Sequence, residues 1–157
     1  AVDEHGRDRC NYSRGTRGTH DTIARLVPAS IALDASVVVD GLVDSSATGD
    51  HARALMGQPG VYVPDLLYSE VSNALRRREV RLKRSMEREF TSLLRLPWDR
   101  VPVGTFGRLT WPLRHDVSLY DATYVALAMV LDVPLATTDR KLASVATRYC
   151  EVVIPGE

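Results

Sequence analysis

The sequence predicts an α/β fold, a three-layer α/β/α sandwich with a mainly parallel central sheet. Three observations carry this expectation. Short apolar, β-branched runs at 31–34, 61–64, 134–139 and 150–155 alternate with longer stretches of helical periodicity. The runs at 31–34 and 134–139 each end in an acid, Asp34 and Asp139, where a strand would hand over to a helix. The chain has 157 residues, 45% hydrophobic and 25% charged, which suits one soluble domain with a sizeable core.

Residues 1–29 stand apart. They are rich in Arg, Gly, Thr and Asp and lack apolar periodicity, so a flexible N-terminal extension or appended leader is expected, with the folded domain at 30–157. His5, Cys10 and His20 have no metal-ligand spacing and are expected to be exposed tail residues.

From residue 30 the elements follow in order. IALD is a strand of about four residues, and the next helix covers roughly 36–44, with Asp34 at or near its N-cap. A second helix spans 48–56 and stops at Gln58-Pro59-Gly60. VYVP is the second strand. Asp65 opens a long helix whose apolar stripe is Leu66, Leu67, Val71, Ala74 and Leu75; Glu70 lies beside that stripe and faces at least partly inward. A further amphipathic helix is expected over 83–96, ended by Pro97, then a weak strand at 100–103 and a helix over 105–115 bent at Pro112. Ser118-x-x-Asp121 has the form of a capping box and opens a run, ATYVALAMVL, that is apolar on nearly every face; such a helix belongs in the core. Tyr124 is expected to pack. PLATTD is the next strand, DRKLASVATRY a helix, and CEVVIP the last strand.

Twenty bases balance twenty acids, so a polyanion would have to be held by local patches or by metal. The two cysteines, Cys10 and Cys150, lie far apart and pair with no motif, and no secretory pattern is visible, so a reduced cytoplasmic protein is expected. The apolar region 31–43 is interrupted by Asp34 and Asp40 and is too short to span a bilayer.

Taken singly, Asp34 and Asp139 read as N-caps, Asp121 as the acid of a capping box, and Glu70 as a solvated helix residue. Jointly they converge on one end of a parallel sheet, where ligands bind. Four carboxylates there repel one another unless a divalent cation lies among them, and an all-oxygen donor set suits Mg²⁺ or Mn²⁺ rather than zinc.

Asp34 in LDASVVV, Glu70 in YSEVSNALRR, Asp121 in SLYDATYVALA and Asp139 in ATTDRKL, in this order and spacing, resemble the PIN-domain family, and more narrowly the VapC-type toxins of bacterial toxin–antitoxin systems. The resemblance covers about 31–157. It implies a metal-dependent endoribonuclease in which Asp34, Glu70, Asp121 and Asp139 form the acidic cluster. Asp34 and Asp121 would be direct ligands of Mg²⁺ or Mn²⁺; Glu70 and Asp139 would bind a second ion or position water. It further implies Ser36 and Thr138 as small hydroxyl residues near the first and last acids, with helix capping an equal alternative. A homodimer, an RNA substrate, no membrane, and a VapB-type antitoxin lying over the active-site groove also follow from it. The alternatives are a PIN-like protein that binds RNA or a partner without catalysis, and a metal-dependent nuclease acting on DNA.

Two readings stay open for several other residues. Asn73, one turn after Glu70, either reaches across the site or faces solvent. The run Arg76, Arg77, Arg78, Arg81, Lys83 and Arg84 is either a solvated helix end or a track for RNA phosphates. His51 and His115 are expected to be structural or surface residues, and Trp98 and Trp111 to be core or interface residues.

Overall fold

The computed structural model describes residues 30–157. The expectations for 1–29, including His5, Cys10 and His20, lie outside the described residues. Five strands form one sheet: β1 (Ser30–Leu33), β2 (Gly60–Pro64), β3 (Asp99–Val101), β4 (Leu135–Ala136) and β5 (Val152–Val153). Their order is β3-β2-β1-β4-β5, and every neighbouring pair is parallel. The sheet is therefore wholly parallel, and its middle strand β1 is apolar after Ser30, with Ile31, Ala32 and Leu33 fully buried.

Chain order explains the layers. From β1 to β2 to β3 the chain steps one way across the sheet, through α1 (Ala35–Val43), α2 (Ala47–Met56), α3 (Leu67–Leu82) and α4 (Glu87–Leu94). From β3 it returns past β1 to β4 and β5, through α5 (Val103–Phe106), a 3₁₀ turn (Gly107–Leu109), α6 (Thr110–Leu113), α7 (Leu119–Leu131) and α8 (Arg140–Ala146). Right-handed crossovers put the first group on one face and the second on the other. The direction reverses between β1 and β4. That is the switch point, where a crevice opens beyond the carboxyl ends of the strands.

Several expected elements are shorter than their sequence pattern. The helix expected at 83–96 is confined to Glu87–Leu94, because Lys83 takes a left-handed conformation (φ 50°) that closes α3. The expected helix at 105–115 starts earlier and breaks into α5, the 3₁₀ turn and α6. The third strand is shifted to 99–101 and ends where Pro102 caps α5. The strand expected at 134–139 pairs over two residues only, since Thr137–Asp139 turn into α8.

Helix α7 is buried only in its middle, from Ala122 to Ala128, where it lies against β1, β2 and β4. Leu119, Tyr120, Met129 and Val130 at its ends are exposed, so the all-round apolar pattern overstated its burial: the helix outruns the sheet it covers. Trp98 is buried and its indole N–H donates to Met56 O (3.1 Å), whereas Trp111 is exposed, with the Arg114 guanidinium 4.7 Å from its ring centre.

Helices α1 and α2 pack closely, and Gly49 permits it. A methyl group there would lie 2.1 Å from the Asp44 carbonyl oxygen, a backbone atom that cannot step aside. Gly49→Ala is expected to cost about 1–3 kcal/mol in urea denaturation. Gly57→Ala should be near neutral, because its new methyl meets nothing closer than 3.6 Å.

Candidate active site

Asp34 occupies the switch point. Its backbone N–H donates to Ala136 O of β4 (2.9 Å), which holds it at the seam, and its side chain caps α1. Three donors reach one carboxylate oxygen, Oδ2: the Ser36 hydroxyl (2.5 Å), the Thr137 hydroxyl (2.8 Å) and the Ser36 N–H (3.4 Å). The hydroxyls are themselves held, since Thr138 N–H donates to Ser36 Oγ (3.0 Å) and Asp139 N–H to Thr137 Oγ1 (3.0 Å). The expected cap at Asp34 thus forms. Asp34 is only 6% exposed, and burial pushes its carboxyl above the usual range despite these donors.

Glu70 comes from the first turn of α3 and is half-buried. The Tyr124 hydroxyl, from the buried middle of α7, donates to its Oε2. Burial raises the Glu70 pKa, the Tyr124 bond lowers it, and the charges of Asp34 and Asp121 raise it further. The same burial, together with Glu70, raises the Tyr124 phenol, which stays a donor. Asp121 sits in the first turn of α7; Ser118 Oγ donates to its Oδ2 (2.8 Å) and accepts from its N–H (3.1 Å), so the expected cap forms at this end. Glu70 of α3 therefore feels the charges of Asp34, at the start of α1, and of Asp121, in the first turn of α7.

Asp139 is placed differently. It is exposed, and its Oδ1 caps α8 by accepting from Lys141 N–H (2.8 Å) and Leu142 N–H (3.2 Å); it joins the cluster through its backbone bond to Thr137. The Thr138 hydroxyl turns away from the acids and donates to Asp40 Oδ2 (2.8 Å). Thr137, not Thr138, is the hydroxyl that serves Asp34, because a one-residue step at the end of β4 reverses the side chain's face. Asn73 is exposed and lines a groove with Tyr68, Ser72 and Phe90 rather than the acids.

The donor set is all oxygen, the chemistry that a hard divalent cation takes. Asp34, Glu70 and Asp121 each commit one oxygen to a hydroxyl, and among the described residues the second oxygen of each has no side-chain donor. A cation would offset both the burial of Asp34 and the repulsion felt by Glu70. Among the described residues no three His, Cys, Asp or Glu side chains are grouped so that they could hold a metal ion, and what links the acids here is the charge that Asp34 and Asp121 exert on Glu70.

The basic run does not form one patch. Arg77, Arg78 and Arg81 line a cleft of about 430 Å³ with Val39 and Ala74. Arg76 faces the other side of α3, toward Phe90, and Arg84 pairs with Glu89 (2.9 Å). His51 and His115 are exposed and stand apart from the acids in sequence and contacts; His51 Nδ1 lies 2.8 Å from Ala47 O.

The model of the PIN domain matches residues 31–148, which take in β1 to β4 (all but Ser30) and all four acids. The chain belongs to the PIN-domain family. Ribonuclease VapC1 of Mycobacterium tuberculosis is 40% identical over 124 residues, 76% of this PIN chain and 93% of that protein. Among solved structures, M. tuberculosis VapC20, described as a sarcin-ricin loop cleaving toxin, superposes with a TM-score of 0.58 at 21% identity, covering 73% of this chain and 94% of that one. VapBC2 from Rickettsia felis, bound to a DNA fragment from its promoter, gives 0.56 at 10% identity over 79% and 97%. The two structural likenesses speak for the fold. Thr137 went unassigned from sequence; Tyr124, expected to pack, is buried, and its hydroxyl also reaches Glu70. Tyr124 left a signal: a hydroxyl on an otherwise apolar helix needs a partner, and three residues earlier the helix carries Asp121.

Proposed function

We propose that this PIN-domain protein is a divalent-metal-dependent endoribonuclease, the toxin of a toxin–antitoxin pair. The observation that carries this reading is the repulsion that Glu70 feels from Asp34 and Asp121 at the switch point of a parallel sheet. Acids with that arrangement are costly to keep unless charge is brought to them. Asp34 and Asp121 would hold Mg²⁺ or Mn²⁺ directly, with Glu70 and Asp139 at the rim to take a second ion or to orient water. When bound, the ion supplies Lewis-acid stabilisation of a phosphoryl oxygen and acidifies water. The chain's own part is positional. Ser36 and Thr137 fix the Asp34 carboxylate, Ser118 fixes Asp121, and Tyr124 fixes Glu70. The similarity to Ribonuclease VapC1 supports RNA as substrate, and a VapB-type antitoxin is proposed as partner on the family resemblance. A homodimer is proposed on the same ground.

Purified protein is expected to cut RNA in Mg²⁺ or Mn²⁺, to stop in EDTA, and to lose about 10³-fold or more in rate on Asp121→Asn. Metal-independent cleavage, or an Asp121→Asn protein as active as its parent, would overturn the reading. Among the described residues no helix is long and apolar enough to cross a membrane.

A further inference from the structure

We propose that the cleft lined by Arg77, Arg78 and Arg81 is a phosphodiester subsite that holds the RNA strand leading away from the acidic cluster. The inference rests on the nuclease reading above and deepens it by naming where the substrate's backbone lies.

Position along α3 is the first ground. At about 100° per residue, Arg77 and Arg81 fall roughly 20° to either side of the direction in which Glu70 projects. At about 1.5 Å per residue they lie about 10 and 16 Å down the helix from it. Ala74, the residue between them and Glu70 on this stripe, is small and lines the same cleft. The stripe therefore runs without a bulky barrier from a carboxylate of the site to two guanidinium groups. Arg76, at about 120° from Glu70, opens onto a different groove with Glu79 and Glu87 and so has acids around it already.

Availability is the second ground. Among the described residues Arg77 and Arg81 make no ion pair with a carboxylate, whereas Arg53, Arg84, Arg140 and Arg148 do. Arg78 is paired, and informatively so. It stands 3.7 Å from Asp40, whose other oxygen accepts from the Thr138 hydroxyl. Thr138 N–H in turn donates to Ser36, which holds Asp34. One wall of the cleft is thus tied, by an ion pair and then by hydrogen bonds, to the seam that positions the acid.

Chemistry is the third. No carboxylate lines the cleft. Guanidinium forks match phosphate oxygens with two parallel hydrogen bonds, and a protein with formal net charge +0 needs such a local site to retain a polyanion. An acidic peptide could use the same cations. A nucleic acid strand is favoured because the arginines line up on the Glu70 side chain, where a backbone phosphate must arrive to be cut.

The test measures binding of a fluorescent, single-stranded, mixed-sequence oligoribonucleotide by anisotropy across a salt series, on Asp121→Asn protein in Mg²⁺. Arg77→Ala/Arg81→Ala is compared with Arg76→Ala/Lys83→Ala, which removes equal charge from the same helix. The first pair is expected to lower the slope of log K against log[salt] by about 1.4, two contacts at about 0.7 each, and the second to leave it unchanged. In the cleavage-competent protein the first pair should raise KM about tenfold and hold kcat within about twofold. Equal slopes for the two pairs overturn the proposal, and if the unmutated protein still cuts RNA, the nuclease reading survives that result. An unmutated protein that neither binds nor cuts RNA overturns both. Loss of poly-glutamate binding in the first pair, with the RNA slope intact, overturns it in favour of an acidic peptide.

Discussion

Asp34→Asn is expected to melt higher than the unmutated protein in EDTA and to lose RNA cleavage by about 10³-fold or more. The two effects share a cause. The Asp34 carboxylate is buried at the seam of β1 and β4, and burial holds its pKa above the ordinary carboxylate value. A group whose folded pKa is raised binds more protons folded than unfolded between its two pKa values, so stability falls as pH rises through that window and the deficit is full above the folded pKa. Asparagine removes the charge, while its carbonyl oxygen still accepts from Ser36 and Thr137. The gain should be on the order of 1 kcal/mol, about 2–4 °C in Tm at neutral pH. It should shrink as pH falls and vanish below the ordinary carboxylate pKa, where Asp34 is protonated in both states. Saturating Mn²⁺ should reverse the order of melting, because an ion held at about 100 times its Kd stabilises the unmutated protein by about 2.7 kcal/mol and the variant by less. The loss of cleavage follows from removing a ligand to a charge that stabilises the transition state by several kcal/mol, at 1.36 kcal/mol per decade of rate. Equal melting temperatures in EDTA across pH 5–8 would show that Asp34 carries no such strain.

Most of this architecture was legible because apolar periodicity and punctuation agree. Ile31–Leu33 reads as a buried parallel strand, Asp34 as the start of a helix, and Ser118-x-x-Asp121 as a cap, and each forms. Failures came where tertiary contacts decide. Lys83 closes α3 in a left-handed turn that no residue preference announces, so two helices were drawn nearly end to end. Thr137 and Thr138 are chemically alike in sequence; only the geometry of the β4–α8 turn sends one hydroxyl to Asp34 and the other to Asp40. The arginine run looked continuous because a sequence does not show faces, and α3 deals its members to opposite sides. Capping and catalysis were weighed as rivals for Asp34 and Asp139. For Asp34 the cap forms, through Oδ2, and so does the cap of Asp139, through Oδ1.

Tyr124→Phe should lower cleavage by about 10–100-fold while leaving the fold nearly intact, by analogy with the loss of an outer hydrogen bond at a metal site. The phenyl ring fills the same volume, so no cavity opens behind α7. The stability cost is the one hydroxyl bond, about 1 kcal/mol, because the half-buried Glu70 can recruit water in its place. The cleavage effect has two separable parts. First, Glu70 loses the donor that fixes its side chain across the sheet face from α7. Second, the Tyr124 bond lowers the Glu70 pKa against burial and against the charges of Asp34 and Asp121, so its removal lets that pKa rise further. A carboxylate with a higher pKa stays protonated to higher pH, and the acid limb of the rate profile should move upward in pH. At alkaline pH, with Glu70 ionised in both proteins, the protonation part should recover and the orientation part should persist. Direct Mn²⁺ titration followed by calorimetry should show weaker binding in the variant by a similar pH-dependent margin. An unshifted profile together with unchanged Mn²⁺ affinity would reduce Tyr124 to a packing residue. In that case the approach of its hydroxyl to Glu70 would satisfy a buried phenol and nothing more.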